Sequence, residues 1–117
     1  MKSKNQLILG LLSMTLLCAA SPTWAKDVRM FVRHEVADYA VWKKGYDDFA
    51  PNQKKMGVIF KAVYQTADNP NDVTVIHDFH SLEKAQAFAA SPVLKADMER
   101  LGVKGQPQIW ITNKGAK

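Results

Sequence analysis

The chain is short of the residues that build covalent or metal-held stability: among 117 residues there is one cysteine, Cys18, and only three histidines. Cys18 falls within the first 25 residues, which open with Lys2 and Lys4, run apolar from Leu7 to Ala20, break at Pro22 and end in Thr23-Trp24-Ala25. A basic start, an apolar middle and small residues at the exit form the pattern of a secretory signal peptide. The apolar run is 14 residues long, short of the roughly 20 that a membrane-spanning helix needs. Cleavage after Ala25 is therefore expected, and a stable membrane anchor is not. Lipid attachment at Cys18 is disfavoured because Leu17, just before it, is large. The mature chain then has no cysteine, which excludes disulfides and thiol nucleophiles. The expected location is periplasmic or secreted.

Blocks of like charge are also missing. Residues 26–117, a stretch of 92, carry 14 Lys/Arg and 11 Asp/Glu, a formal charge of +3. Arg29, Arg33, Lys43, Lys44, Lys54 and Lys55 are interleaved with acids, so the pattern is a solvated surface and no nucleic-acid partner is expected. Glycine is too sparse for a phosphate cradle, and "GQPQ" at 105–108 reads as a connecting turn. The length is that of a single domain. One so small buries only about 60–70% of its unfolded surface, so it gains from pairing with a second copy.

What is present is a clear alternation of periods. In "VRMFVRHEV", Val28, Met30, Val32, His34 and Val36 share one face, and Arg29, Phe31, Arg33 and Glu35 share the other: a strand with one buried side. Asp38 is a helix cap, followed by Trp42, Tyr46, Phe49 and Met56 at helical spacing, with a break expected near Pro51 and a left-handed cap at Gly57. Residues 58–66 read as a second strand and "ADNPND" as a hairpin loop. Residues 72–79 form a third strand, with Val73, Val75, His77 and Phe79 on one face. Ser81 caps a second helix that restarts at Ser91-Pro92 and ends at Gly102. Residues 108–112 are a short last strand.

The order strand, helix, strand, strand, helix, strand predicts an α+β, ferredoxin-like βαββαβ domain over 26–117: a four-stranded antiparallel sheet with both helices on one face. The other face carries Ile76, and Phe31 or Trp110 as further candidates. A two-layer domain must cover such a face, and a second subunit laid sheet to sheet would do so.

"HEVADYAVWKKGYD", "GVIFKAVYQTADNPNDVTVIHDF" and "KAQAFAASPVLKADMERLGVKGQPQI" resemble small proteins of the dimeric α+β barrel superfamily, within it those related to antibiotic-biosynthesis monooxygenases and their cyclase-like relatives. The resemblance covers roughly residues 28 to 113. It implies a homodimer, and a cofactor-independent monooxygenase- or cyclase-like activity on a small apolar or aromatic compound. Haem-degrading members bind iron through a helical histidine, and neither predicted helix, about 38–56 and 82–101, contains one; haem and flavin are not expected. Quinone-forming members resemble a pattern with Asn and Trp near the substrate. Trp42 is present, but Asn52, Asn69 and Asn71 fall in turns or on exposed positions.

His77 and His80 lie three residues apart in a strand, so they point to opposite faces and do not share a metal ion. No metal site is expected. His34 and His77 each sit among valines, where an imidazole needs a partner. They are the candidate catalytic residues, with Trp42, Tyr46, Tyr64 and Phe88 as candidate walls of a pocket between sheet and helices. The same aromatics at helical period serve equally as plain core, and the alternative is a non-catalytic envelope protein acting through its dimer surface. A pocket of a few hundred Å³ beside either histidine favours the first reading; a collapsed interior with both histidines satisfied favours the second.

Overall fold

The computed structural model describes residues 26–114; the expected leader, with Cys18, lies outside the described residues. Strand β1, Val28–Val36, alternates buried and solvent-facing residues along its whole length. Helix α1, Tyr39–Asp48, starts where Asp38 accepts a hydrogen bond from the Val41 N–H at 3.1 Å. Its outer face is held by Lys43–Asp47 and Lys44–Asp48 pairs one turn apart, and its inner face buries Trp42 and Tyr46. The helix breaks at Phe49. Helix α2, Ala50–Lys55, restarts with Pro51 in its first turn, where the missing N–H has no helical partner to lose. Gly57, at φ +102°, ends it, a conformation that side chains with a Cβ rarely adopt.

Strands β2, Phe60–Thr66, and β3, Asn69–Phe79, form a hairpin. The expected six-residue loop is only the turn Ala67-Asp68. The remaining turn formers build a bulge inside β3, marked by a register shift between Gln65 and Thr66. There Asn69 accepts from the Asn71 N–H at 3.1 Å, and Asn71 accepts from the Tyr39 N–H at 2.9 Å, tying the bulge to α1. These asparagines are in a strand, contrary to the sequence expectation, and serve the backbone.

Helices α3, Leu82–Ala89, and α4, Pro92–Arg100, are capped by Ser81 and Ser91 as expected, and Gly102 turns at φ +85°. Strand β4, Val103–Asn113, is 11 residues long, about twice its expected length. "GQPQ" lies inside it, so the connecting-turn reading is corrected. The cause is a second bulge, a register shift opposite Arg33 and Glu35, with Gly105 at φ +69°. β4 is an edge strand, which is where Pro107 is tolerated.

The sheet order is β2-β3-β1-β4, all pairs antiparallel. The four helices of the described residues cover one face, giving the ferredoxin-like arrangement with each helical limb broken in two. Phe79, Phe88 and Met30 are fully buried at its centre. Helix α1 meets the chain just past α4 at very close range: a Cβ on Gly45 would overlap a methyl of Leu101.

The other face carries a row of apolar side chains across all four strands, Ala62, Ile76, Phe31 and Trp110, each paired with the next by register. Phe31 and Trp110 stack at 5.2 Å and 8°. Two-pronged Arg29–Asp78 and Arg33–Asp72 pairs flank the row on either side.

Candidate active site between sheet and helices

The register sets His77 opposite Met30 and His34 opposite Val73. Both histidines therefore share the helix-facing side of the sheet, and both are buried. Rings from strands and helices meet there in a chain. His34 stands edge-on to Trp42 at 5.5 Å, Trp42 stacks on Tyr46 at 4.8 Å, Tyr46 lies parallel to His77 at 5.9 Å, and His77 meets Phe88 edge-on at 5.2 Å.

Within this chain one polar contact is well defined: the Tyr46 hydroxyl and His77 Nε2 are 2.8 Å apart. Gln53 lies beside them, 2% exposed. Its Oε1 accepts a hydrogen bond from Lys61 Nζ at 2.8 Å, and the same ammonium lies 5.0 Å from the centre of the Tyr46 ring, a cation–π distance. Gln53, Lys61, Tyr46 and His77 thus form one polar relay. With the Tyr46 hydroxyl as donor to Nε2, a neutral His77 carries its proton at Nδ1.

Burial dominates the electrostatics. It lowers His77 to about 4, helped by the positive charge of Lys61 and opposed by Asp78. It also lowers His34 from its ordinary value. It pushes Tyr46 well up, against the Gln53 hydrogen bond. Imidazoles and phenol are accordingly neutral near pH 7, as desolvation requires of unpaired groups. Among the described residues neither His34 Nδ1 nor His77 Nδ1 has a partner, an exception to the rule that buried polar atoms are paired.

A cavity of about 30 Å³ lies among His34, His77, Trp42, Tyr46, Phe88 and Leu101. That volume suits one water molecule, whereas ligand sites run to several hundred Å³. The interior is thus largely filled by its own side chains, yet among the described residues the Nδ1 atoms of both histidines are left unpartnered. Five of the six residues singled out in the sequence meet here: His34, His77, Trp42, Tyr46 and Phe88. Tyr64 does not, and its assignment as a wall is corrected. It pairs with Thr74 and lies on the open face, 57% exposed, while Val63 packs against the core. The phase of β2 is set by its pairing with β3, which sequence alone did not fix. Gln53 was missed, although it lies four residues after Phe49 and seven after Tyr46, on the same helical stripe. Lys61 was missed for the same reason as Tyr64. Among the described residues no group of three or more His, Cys, Asp or Glu is placed to hold a metal ion.

No protein-family model matches the chain, and no curated protein does. Solved structures similar to it include a Bordetella bronchiseptica protein named for the antibiotic biosynthesis monooxygenases, at TM-score 0.67 and 14% identity, covering 78% of this chain and 99% of that one. Another is SnoaB of Streptomyces nogalater, a cofactor-independent oxygenase, at TM-score 0.64 and 13% identity, covering 80% and 97%. A Caulobacter crescentus protein, also named for the antibiotic biosynthesis monooxygenases, follows at TM-score 0.63 and 15% identity, covering 80% and 93%. At these identities the likeness is one of fold, and it is the fold that the sequence resemblance implied.

Proposed function

We propose that the domain binds a small, largely apolar or aromatic molecule between its sheet and helices, and acts on it as a cofactor-independent monooxygenase- or cyclase-like enzyme. The observation that carries this reading is a pair of buried imidazoles, each with an unpartnered Nδ1, bordering one cavity walled by aromatic rings. The fold shared with SnoaB, a cofactor-independent oxygenase, supports it. His77, held neutral and carrying its proton on the unpartnered Nδ1, is suited to donate a hydrogen bond to a carbonyl or developing oxyanion. His34 is the candidate general base. Room for a ligand requires the side chains of Leu94, Met98 and Leu101, which line the cavity on the α4 side, to move aside.

The test uses residues 26–117 in a Trp110→Phe background, so that Trp42 is the remaining fluorophore. Titration with a panel of hydroxyaromatic compounds is expected to quench Trp42 saturably, with oxygen uptake in an electrode for at least one of them. Binding is lost in His77→Leu and kept in Tyr64→Ala. Absence of quenching across the panel defeats the reading.

A second reading is favoured by a separate observation, the small volume of the interior cavity together with the apolar row on the open face. In it the chain is a non-catalytic envelope protein whose working part is a sheet-to-sheet homodimer. Dimerisation through this face belongs to both readings. Sedimentation that reports a monomer at micromolar concentration removes it. Export to the periplasm or outside the cell is supported by the basic-then-apolar opening of the sequence; the mass of the protein recovered from that compartment is expected to correspond to a chain starting at Lys26.

A further inference from the structure

On the outer side of the same polar relay lies a groove of about 690 Å³, bounded by α2, the Gly57 turn, the start of β2 and α3. That size falls within the range of small-molecule sites. Three lysines line it, Lys54, Lys61 and Lys84, and no aspartate or glutamate does. Elsewhere on the surface some cations are paired, Arg29, Arg33, Lys43, Lys44 and Arg100 each facing a carboxylate, and others, Lys55, Lys95 and Lys104, stand apart from one another. None of the three groove lysines has such a partner among the described residues. The stem of Lys84 crosses Gly57, where a Cβ would come within 3.4 Å of its Cδ. Lys61 is drawn to the groove's inner wall by Gln53. The floor is apolar, with Val58 beside Ile59, and Ile59 is 45% exposed.

We propose that this groove binds an amphipathic monocarboxylate, its head group among Lys54, Lys61 and Lys84 and its apolar tail along Val58 and Ile59. Exposed lysines each contribute little attraction in water, so the head alone does not account for such a site. The combination of an uncompensated positive rim and an exposed apolar floor fits a ligand that has both parts. An inorganic polyanion leaves the floor uncovered, and a neutral alkane leaves the rim unused. A carboxylate at Lys61 competes with Gln53 for its ammonium, which places the groove at the outer end of the relay to His77. The site is distinct from the interior cavity and does not depend on catalysis there.

The probes are octanoate and octanol, matched in chain length and used below micelle formation, titrated calorimetrically into residues 26–117 at pH 7.5. Octanoate is expected to bind at least about tenfold more tightly than octanol, a margin of ~1.4 kcal/mol. Lys61→Met and the double variant Lys54→Met/Lys84→Met are each expected to reduce octanoate to the level of octanol. His77→Gln, which alters only the interior, is expected to leave octanoate binding unchanged. The double variant changes exposed side chains only, so it decides the matter even if Lys61→Met disturbs the fold. Equal affinity for the two probes, no binding of either, or octanoate binding that survives the double variant overturns the proposal. If binding survives there and is lost in His77→Gln, the ligand sits in the interior, and the proposed function gains while the groove site falls.

Discussion

The two faces of the sheet are made from alternate residues of the same strands, yet they handle polarity in opposite ways. On the open face Arg29 and Arg33 are charged and each is met by a two-pronged carboxylate, Asp78 and Asp72. One residue further along β1 or β3, on the helix face, the polar groups are His34 and His77, kept neutral by burial and left short of partners. Water makes the first arrangement cheap, because exposed ion pairs contribute little and cost little. Its exclusion makes the second costly unless the protonation state adapts. The lesson is that a neutral, under-bonded histidine on the dry side is a sharper pointer to function than well-paired charges on the wet side.

The contrast can be broken most forcefully on the dry side. Phe88→Ala, at a residue 1% exposed that touches both His77 and Phe79, is expected to cost about 3–5 kcal/mol, read as a fall in the urea midpoint. Next comes pH. His77 titrates near 4 in the folded chain against an ordinary 6.5, so below pH 6.5 the unfolded chain takes up a proton that the folded one refuses. Its contribution to stability is full above about pH 6.5 and is lost as pH falls toward 4, on the order of 3 kcal/mol. His34 adds to the loss with the same sign. His77→Gln, which cannot titrate, is expected to flatten most of that slope in thermal melts across pH 4–7.

A smaller effect is expected from Tyr46→Phe, which removes one hydroxyl and leaves His77 Nε2 buried without its donor. About 1–3 kcal/mol should be lost, and the imidazole ¹⁵N shifts of His77 should show the tautomers mixing; a single Nδ1–H tautomer persisting in the variant would break the relay argument. On the wet side Arg33→Met is expected to leave the monomer's denaturation midpoint within experimental scatter. Phe31→Asp likewise spares the monomer, but it is expected to abolish self-association measured by sedimentation. A large loss of monomer stability from either would mean that the two faces are not the separate regimes described here.

Much of this was readable beforehand wherever local rules act alone. The alternation in β1, the caps at Asp38, Ser81 and Ser91, the break near Pro51 and the left-handed glycines at 57 and 102 all depend on neighbours in sequence. Errors came where a partner strand decides. Asn69, Pro70, Asn71 and Asp72 have loop composition but are absorbed by a bulge against β2, and Gly105 and Pro107 by another against β1. Tyr64 was placed on the wrong face because nothing within β2 fixes its phase. The site was legible as a set of residue types, His34, His77, Trp42, Tyr46 and Phe88. Its organisation was not, because Gln53, although on the stripe of Tyr46 and Phe49, is joined to the site by Lys61, and the phase of β2 that brings Lys61 there is set by β3.

Gly45 and Leu101 leave a last implication. Leu101 lines the interior cavity, and its methyls also occupy the space that a side chain at Gly45 of α1 would take. The two positions are 56 residues apart in sequence and act as a single steric variable. A methyl added at 45 has to be offset by carbon removed at 101, and Leu101→Ala alone would open room beside His34 without altering a ring. The capacity of the chamber is therefore adjustable by trading bulk across that pair, while the aromatic walls and their polar relay stay as they are.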